Sequence, residues 1–132
     1  MKRNSLTPLG ETEMELLHLV WELGEATVAD VHARILQRRQ VAYTTIMTVL
    51  KKLATKGYLD YRKDGTSYVY HPARTPGEVQ HSVLQSIMQK VFLGSPSALV
   101  HTLVSRESLT PDEIQELRAL IESLDEEADD NA

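Results

Sequence analysis

The 132-residue sequence contains no cysteine, which excludes a disulfide framework, a thiolate zinc or iron–sulfur site and a cysteine nucleophile. It also lacks any apolar run of more than a few residues. The basic start Met1-Lys2-Arg3 leads into Asn4-Ser5 and not into the apolar stretch of a signal peptide. No membrane insertion is expected, and the expected location is the cytoplasm. The six glycines are isolated, so neither a Walker loop nor a dinucleotide-binding loop is present. His18, His32, His71, His81 and His101 are scattered without metal-ligand spacing, and no motif brings a nucleophile to a base. Neither an enzyme nor a metal or other cofactor is expected.

What the sequence does have is a partition of charge. The net charge is −5, yet residues 1–75 carry 11 basic against 8 acidic side chains, and residues 76–132 carry 3 against 11. Within residues 34–74 stand Arg34, Arg38, Arg39, Lys51, Lys52, Lys56, Arg62, Lys63 and Arg74, opposed only by Asp60 and Asp64. A basic block inside an acidic protein usually meets a polyanion, and the bland alternative is a solvated lysine-rich face.

The pattern inside that block favours the first. Met14, Leu17, Val20 and Trp21 recur at helical spacing, and they predict a helix from about Leu9 to Leu23 that Gly24 stops, with Gly10 as cap and Leu9 stapling Met14. Thr27 three residues before Asp30 caps a second helix ending near Gln37. Ile46, Val49, Leu50 and Leu53 give a third helix stopped by Gly57. On the opposite side of that helix Thr44, Thr48, Lys51 and Thr55 fall at i, i+4, i+7 and i+11, flanked by Thr45 and Lys52. Threonine is a mediocre helix former, so propensity does not account for the stripe. After Gly57 the period changes to two: Leu59 and Tyr61, then Tyr68 and Tyr70, flank Lys63-Asp64-Gly65-Thr66, a hairpin signal, and Pro72 ends the second strand.

Three helices and a hairpin in this order predict a winged helix-turn-helix domain over residues 1–74, with Ala26 to Val28 as a short third strand. The third helix is expected in the major groove, with Tyr43, Thr44, Thr45 and Thr48 at base edges and Lys51 and Lys52 at phosphates. Its N-terminal amides are expected to favour a phosphate oxygen. Arg62 and Lys63 are expected to bring the wing to the backbone, with Arg38 and Arg39 as further candidates. Tyr68 or Tyr70 is a candidate for sugar contact, although Tyr61 and Tyr70 are expected to pack against the third helix.

Residues 75–132 predict an α-helical dimerisation domain with an acidic tail, so the fold class is mainly α with a small β wing. Thr75-Pro76-Gly77-Glu78 and Thr110-Pro111-Asp112-Glu113 each open a helix with an N-cap, proline at N1 and glutamate at N3, and Ser95-Pro96 opens a shorter helix between them. Their apolar sets include Val83, Ile87 and Val91; Leu99 and Leu103; and Ile114, Leu117, Ile121 and Leu124, the last spaced like a zipper seam. Fifty-eight residues give a marginal core alone, and pairing with a second copy is expected; padding of the winged domain in the same chain is the rival. The acidic residues from Asp125 onward are expected to fray.

Leu6-Thr7-Pro8-Leu9, Trp21-Glu22-Leu23-Gly24-Glu25-Ala26-Thr27-Val28, Ala42-Tyr43-Thr44-Thr45-Ile46-Met47-Thr48-Val49-Leu50, Lys63-Asp64-Gly65 and Tyr68-Val69-Tyr70 together resemble the BlaI/MecI penicillinase-repressor family. The resemblance implies a homodimeric winged-helix repressor of palindromic operators of TACA/TGTA type, with Thr44, Thr45 and Thr48 as base readers and Lys51 on phosphate. It also implies a membrane sensor protease as partner, acting at an Asn-Phe bond. The matching stretch here, Val100-His101-Thr102-Leu103-Val104, lacks that bond. The copper-responsive branch carries a cysteine-rich site that this sequence does not have. Two rivals stay open: a winged-helix protein-docking module, and a ligand-sensing winged-helix regulator.

Overall fold

The computed structural model describes residues 8–106 and 108–130, with side chains to residue 127. The expectations for Met1 to Thr7 and for the last two residues lie outside this range. The order is α1 (Glu11–Leu23), β1 (Ala26–Thr27), α2 (Val28–Ile35), α3 (Tyr43–Thr55), β2 (Leu59–Asp64), β3 (Ser67–Pro72), α4 (Pro76–Lys90), α5 (Pro96–Arg106) and α6 (Pro111–Asp130). The chain divides into two compact units, with the break between Ile87 and Met88, inside α4.

The first unit is a three-helix cluster against a small antiparallel sheet of order β1-β3-β2. Leu16, Leu17, Leu19 and Val20 of α1, Val31 and Ile35 of α2, and Ile46, Leu50 and Leu53 of α3 are fully buried together, with Tyr58, Leu59, Tyr70 and Val79 closing the cluster. Each fully buried aliphatic side chain of this kind contributes about 1.5–3 kcal/mol. Leu9 and Met14, the expected staple pair, each pack at its edge. Trp21, half-buried on α1, donates its indole N–H to the Arg74 carbonyl at 3.0 Å, tying α1 to the segment that opens α4.

Helix ends follow local chemistry. Thr27 Oγ1 accepts from the Asp30 N–H at 3.1 Å, and Asp30 accepts from the Thr27 N–H at 3.0 Å. Thr75 with Glu78, and Thr110 with Glu113, repeat this reciprocal arrangement at α4 and α6. At the end of α3 the Tyr58 N–H reaches the Leu53 carbonyl while Gly57 takes φ +89°, the left-handed turn that glycine adopts without steric cost.

Three boundaries differ from the sequence expectation. α2 stops at Ile35, because the Gln37 and Arg38 amides bond three residues back and the winding tightens into a turn. The hairpin pairs Asp64 with Ser67, so its two-residue loop is Gly65-Thr66 and Asp64 belongs to the strand. Positive φ only at Gly65, the first loop position, is the type II′ pattern, whose twist suits the flanking strands. α6 continues through Asp130, where fraying was expected from Asp125.

One ionic contact fastens the start of α1 to the end of α3. The Glu13 carboxylate accepts from the Gly10 N–H at 2.9 Å and lies 2.8 Å from Lys56 Nζ, which also donates to the Pro8 carbonyl at 3.1 Å. Burial pushes the Glu13 carboxyl up. The bonds from Gly10 and Lys56, with the charges of Lys56 and Lys52, outweigh it and hold the group below its ordinary range. A depressed carboxyl stabilises the fold above its unfolded-state pKa, and that contribution disappears as pH falls through the folded-state value. Glu13→Gln is expected to cost about 1–3 kcal/mol at neutral pH. The cost should shrink in acid, below the ordinary carboxylate range; urea unfolding at the two pH values checks both.

Candidate nucleic-acid interface

Burial of Ile46, Leu50 and Leu53 at i, i+4 and i+7 fixes the roll of α3 about its own axis. Thr44, Thr45, Thr48, Lys51, Lys52 and Thr55 are consequently all exposed, and Tyr43 at the first turn is exposed as well. Thr48 donates its hydroxyl to the Thr44 carbonyl at 2.9 Å, so it offers an outside group its oxygen lone pairs and its methyl. Thr44 and Thr45 make no side-chain hydrogen bond among the described residues. An open groove between α3 and the start of α1 is lined by Thr48, Lys51, Lys52 and Thr55 on one side and Gly10 and Thr12 on the other.

Two residues unnoticed in the sequence set the entry of α3. His32, half-buried on α2, meets the Val41 carbonyl through Nε2 at 2.8 Å, and since a carbonyl only accepts, Nε2 carries the proton. Its ring also meets Tyr43 edge to face at a centroid distance of 5.5 Å. The second is Ala42, the N-cap, which supplies no side-chain bond to the helix amides, and the first turn holds no acidic residue. The two His32 contacts have no local sequence signal.

The basic block is smaller as a surface than as a count. Arg34 pairs with Glu22, Arg38 and Arg39 with Glu15, Lys56 with Glu13, Arg62 with Glu25 and Arg74 with Glu78. The Arg39–Glu15 contact, at 2.6 Å, holds the guanidinium above its ordinary pKa through that hydrogen bond and its charge. Among the described residues, Lys51, Lys52 and Lys63 make no ion pair. The three unpaired cations of residues 34–74 therefore lie on α3 and on the wing.

The wing sorts its side chains by alternation. The register pairs Tyr61 with Tyr70 and Lys63 with Tyr68, so these four share one face of the hairpin, while Arg62 opposite Val69 lies on the other. Arg62 and Lys63, both expected to bring the wing to the backbone, thus lie on opposite faces of the hairpin. Tyr70 is 2% exposed, and burial, then the neighbouring Tyr61 and Tyr68, push its hydroxyl pKa up. Tyr61, like Tyr70, was expected to pack against α3. It is 56% exposed instead, stacked edge to face on Tyr68 at 5.1 Å: it stands directly opposite Tyr70 but on the edge strand β2, whereas Tyr70 is on the central strand β3.

Among the described residues no group of three or more His, Asp and Glu could hold a metal ion, and no helix is long and apolar enough to cross a membrane.

A family model described as penicillinase repressor matches residues 9–123. The chain belongs to that family. It is a DNA-binding repressor of transcription, in a family without enzymatic activity. The repressor is 34% identical over 123 residues to the transcriptional regulator BlaI of Mycobacterium tuberculosis, covering 91% of this chain and 87% of that one. It is 26% identical over 118 residues to the methicillin resistance regulatory protein MecI of Mammaliicoccus sciuri, covering 89% and 96%. The solution structure of the DNA-binding domain of the repressor BlaI is similar with a TM-score of 0.51 at 23% identity, over 56% of this chain and 90% of that one, a likeness of fold.

The bare cap of α3 yields a prediction. Ala42→Asp should raise stability by about 0.5–2 kcal/mol through a new N-cap. It should also lower DNA affinity, since its carboxylate would occupy the amides and repel phosphate. Thermal melts and fluorescence anisotropy on one preparation read the two effects, and a variant gaining both stability and affinity would count against a phosphate at this helix start.

Proposed function

We propose that the repressor acts in the cytoplasm as a homodimer on a palindromic operator, with α3 of each subunit in a major groove and the wing on the backbone. The observation that carries this reading is the outward hydroxyl and ammonium face of α3, whose two lysines are left without ion pairs while the surrounding arginines are paired internally. Thr44, Thr45 and Thr48 take the base edges, where Thr48 offers an acceptor and a methyl, suited to a cytosine or adenine amino group or to a thymine methyl. Tyr43 adds an aromatic edge. Lys51, Lys52 and Lys63 take phosphates, and their charge supplies affinity that is independent of sequence.

The apolar faces of the other helices support pairing. Val83, Ile87, Val91, Leu103, Ile114, Ile121 and Leu124 are exposed in the single chain, and Leu99 and Leu117 only half-buried. Stripes of that extent are rare on monomers. We assign them to the second copy, with helical domain and dimer contact extending over residues 75–132. Two such subunits would present α3 in successive major grooves, roughly 34–36 Å apart. A membrane sensor protease, implied by the resemblance, would need a bond other than Asn-Phe, because Val100 to Val104, which lie within α5, lack it.

Binding of labelled operator at increasing salt tests the reading; an affinity insensitive to salt would remove the phosphate contacts. Thr48→Ala is expected to change the preferred sequence at one base position by about 1–3 kcal/mol, whereas Lys51→Ala weakens all sequences alike and flattens the salt slope. The reverse pattern would overturn the assignment of the α3 face. Ile121→Asp changes a side chain that is 56% exposed in the single chain, so the subunit should stay folded. Sedimentation should then show monomers, with operator affinity falling in step.

A further inference from the structure

Arg62 lies on a wing strand of a DNA-binding protein, yet its guanidinium is engaged from within the subunit. Its two terminal nitrogens donate to the two carboxylate oxygens of Glu25 at 2.8 and 3.0 Å, a two-pronged contact that fixes direction as well as distance. The hydrogen bonds and charge of Glu25 hold the guanidinium above its ordinary pKa, and those of Arg62 hold the Glu25 carboxyl below its own.

The position of this contact in the sheet gives it a function. The register places Thr27 opposite Val69 and Arg62 opposite Val69 from the other side, so β1, β3 and β2 each contribute one residue to a single row. Glu25 precedes β1 by one residue, at the corner where α1 gives way to the sheet. The Arg62–Glu25 contact therefore spans the central strand and joins the outermost wing strand to the helical body. β1 is only two residues long and pairs with β3 alone, so it provides no direct backbone bond to β2.

We propose that Arg62 is a positioning residue: clamped by Glu25, it sets the angle at which the wing meets DNA, while Lys63 on the opposite face carries the phosphate contact. This rests on the DNA-binding reading above, and its experiments separate the two. In DNA-free protein, amide hydrogen exchange across β2 and β3 should speed up in both Arg62→Ala and Glu25→Gln. It should slow again in the charge-swapped double variant Glu25→Arg with Arg62→Glu. Exchange unchanged in the single variants would overturn the clamp whatever the protein does with DNA.

With operator DNA, Arg62→Ala should lower affinity about 2- to 5-fold with the salt slope unchanged. Lys63→Ala should flatten that slope by about one unit per subunit. Glu25→Gln removes a negative charge, and electrostatics alone would raise its affinity; the clamp predicts a loss similar to that of Arg62→Ala, recovered in the swapped pair. A flattened slope in Arg62→Ala, or tighter binding by Glu25→Gln, would overturn the proposal and return Arg62 to the phosphates. If the unmodified protein bound no DNA while the exchange pattern held, the DNA reading would fail and the clamp would stand as architecture alone.

Discussion

Burial of one side of α3 is the constraint on which the rest depends. Ile46, Leu50 and Leu53 are each wholly enclosed against α1, α2 and the sheet, and a helix has no freedom to bury those three and also hide Thr44, Thr48 and Lys51. The same apolar contacts that hold the domain together thus aim its polar side outward. Few side chains have to be specified for recognition once packing has set the roll of the helix.

Electrostatics refines what packing presents. Six of the nine cations in residues 34–74 are matched by glutamates from α1, from the α1–β1 corner or from the start of α4. Most of these pairs are well exposed, and each is worth little for stability. Their larger effect is to cancel charge around the flanks, which leaves the positive field concentrated at Lys51, Lys52 and Lys63. The glutamates that make these pairs are in this sense part of the candidate interface, though none of them need touch a ligand.

Features governed by neighbours in the chain were legible in the sequence. The cap pairs Thr27 with Asp30, Thr75 with Glu78 and Thr110 with Glu113, the glycine stop at Gly57 and the order of helices and hairpin all follow from spacing over three to seven residues. The outward stripe of α3 follows from the same periodicity. Features that depend on distant parts of the chain were not. Arg62 meets Glu25 across 37 positions and Arg39 meets Glu15 across 24, and nothing local distinguishes them from cations awaiting a polyanion. Tyr61 and Tyr70 occupy equivalent places in the alternation, and only the strand order, with β3 central and β2 at the edge, separates the enclosed ring from the exposed one. The helical reach of α6 past Asp125 ran against its run of like charge.

Trp21 is the sole tryptophan of the chain, and its indole bonds to the carbonyl just before α4 begins. The fluorescence of the intact, unlabelled protein therefore originates next to the joint through which the sheet hands over to the later helices. Any rearrangement that parts α1 from the segment opening α4 would break the indole bond, admit water and shift the emission to the red, so the molecule carries a built-in optical gauge of that contact.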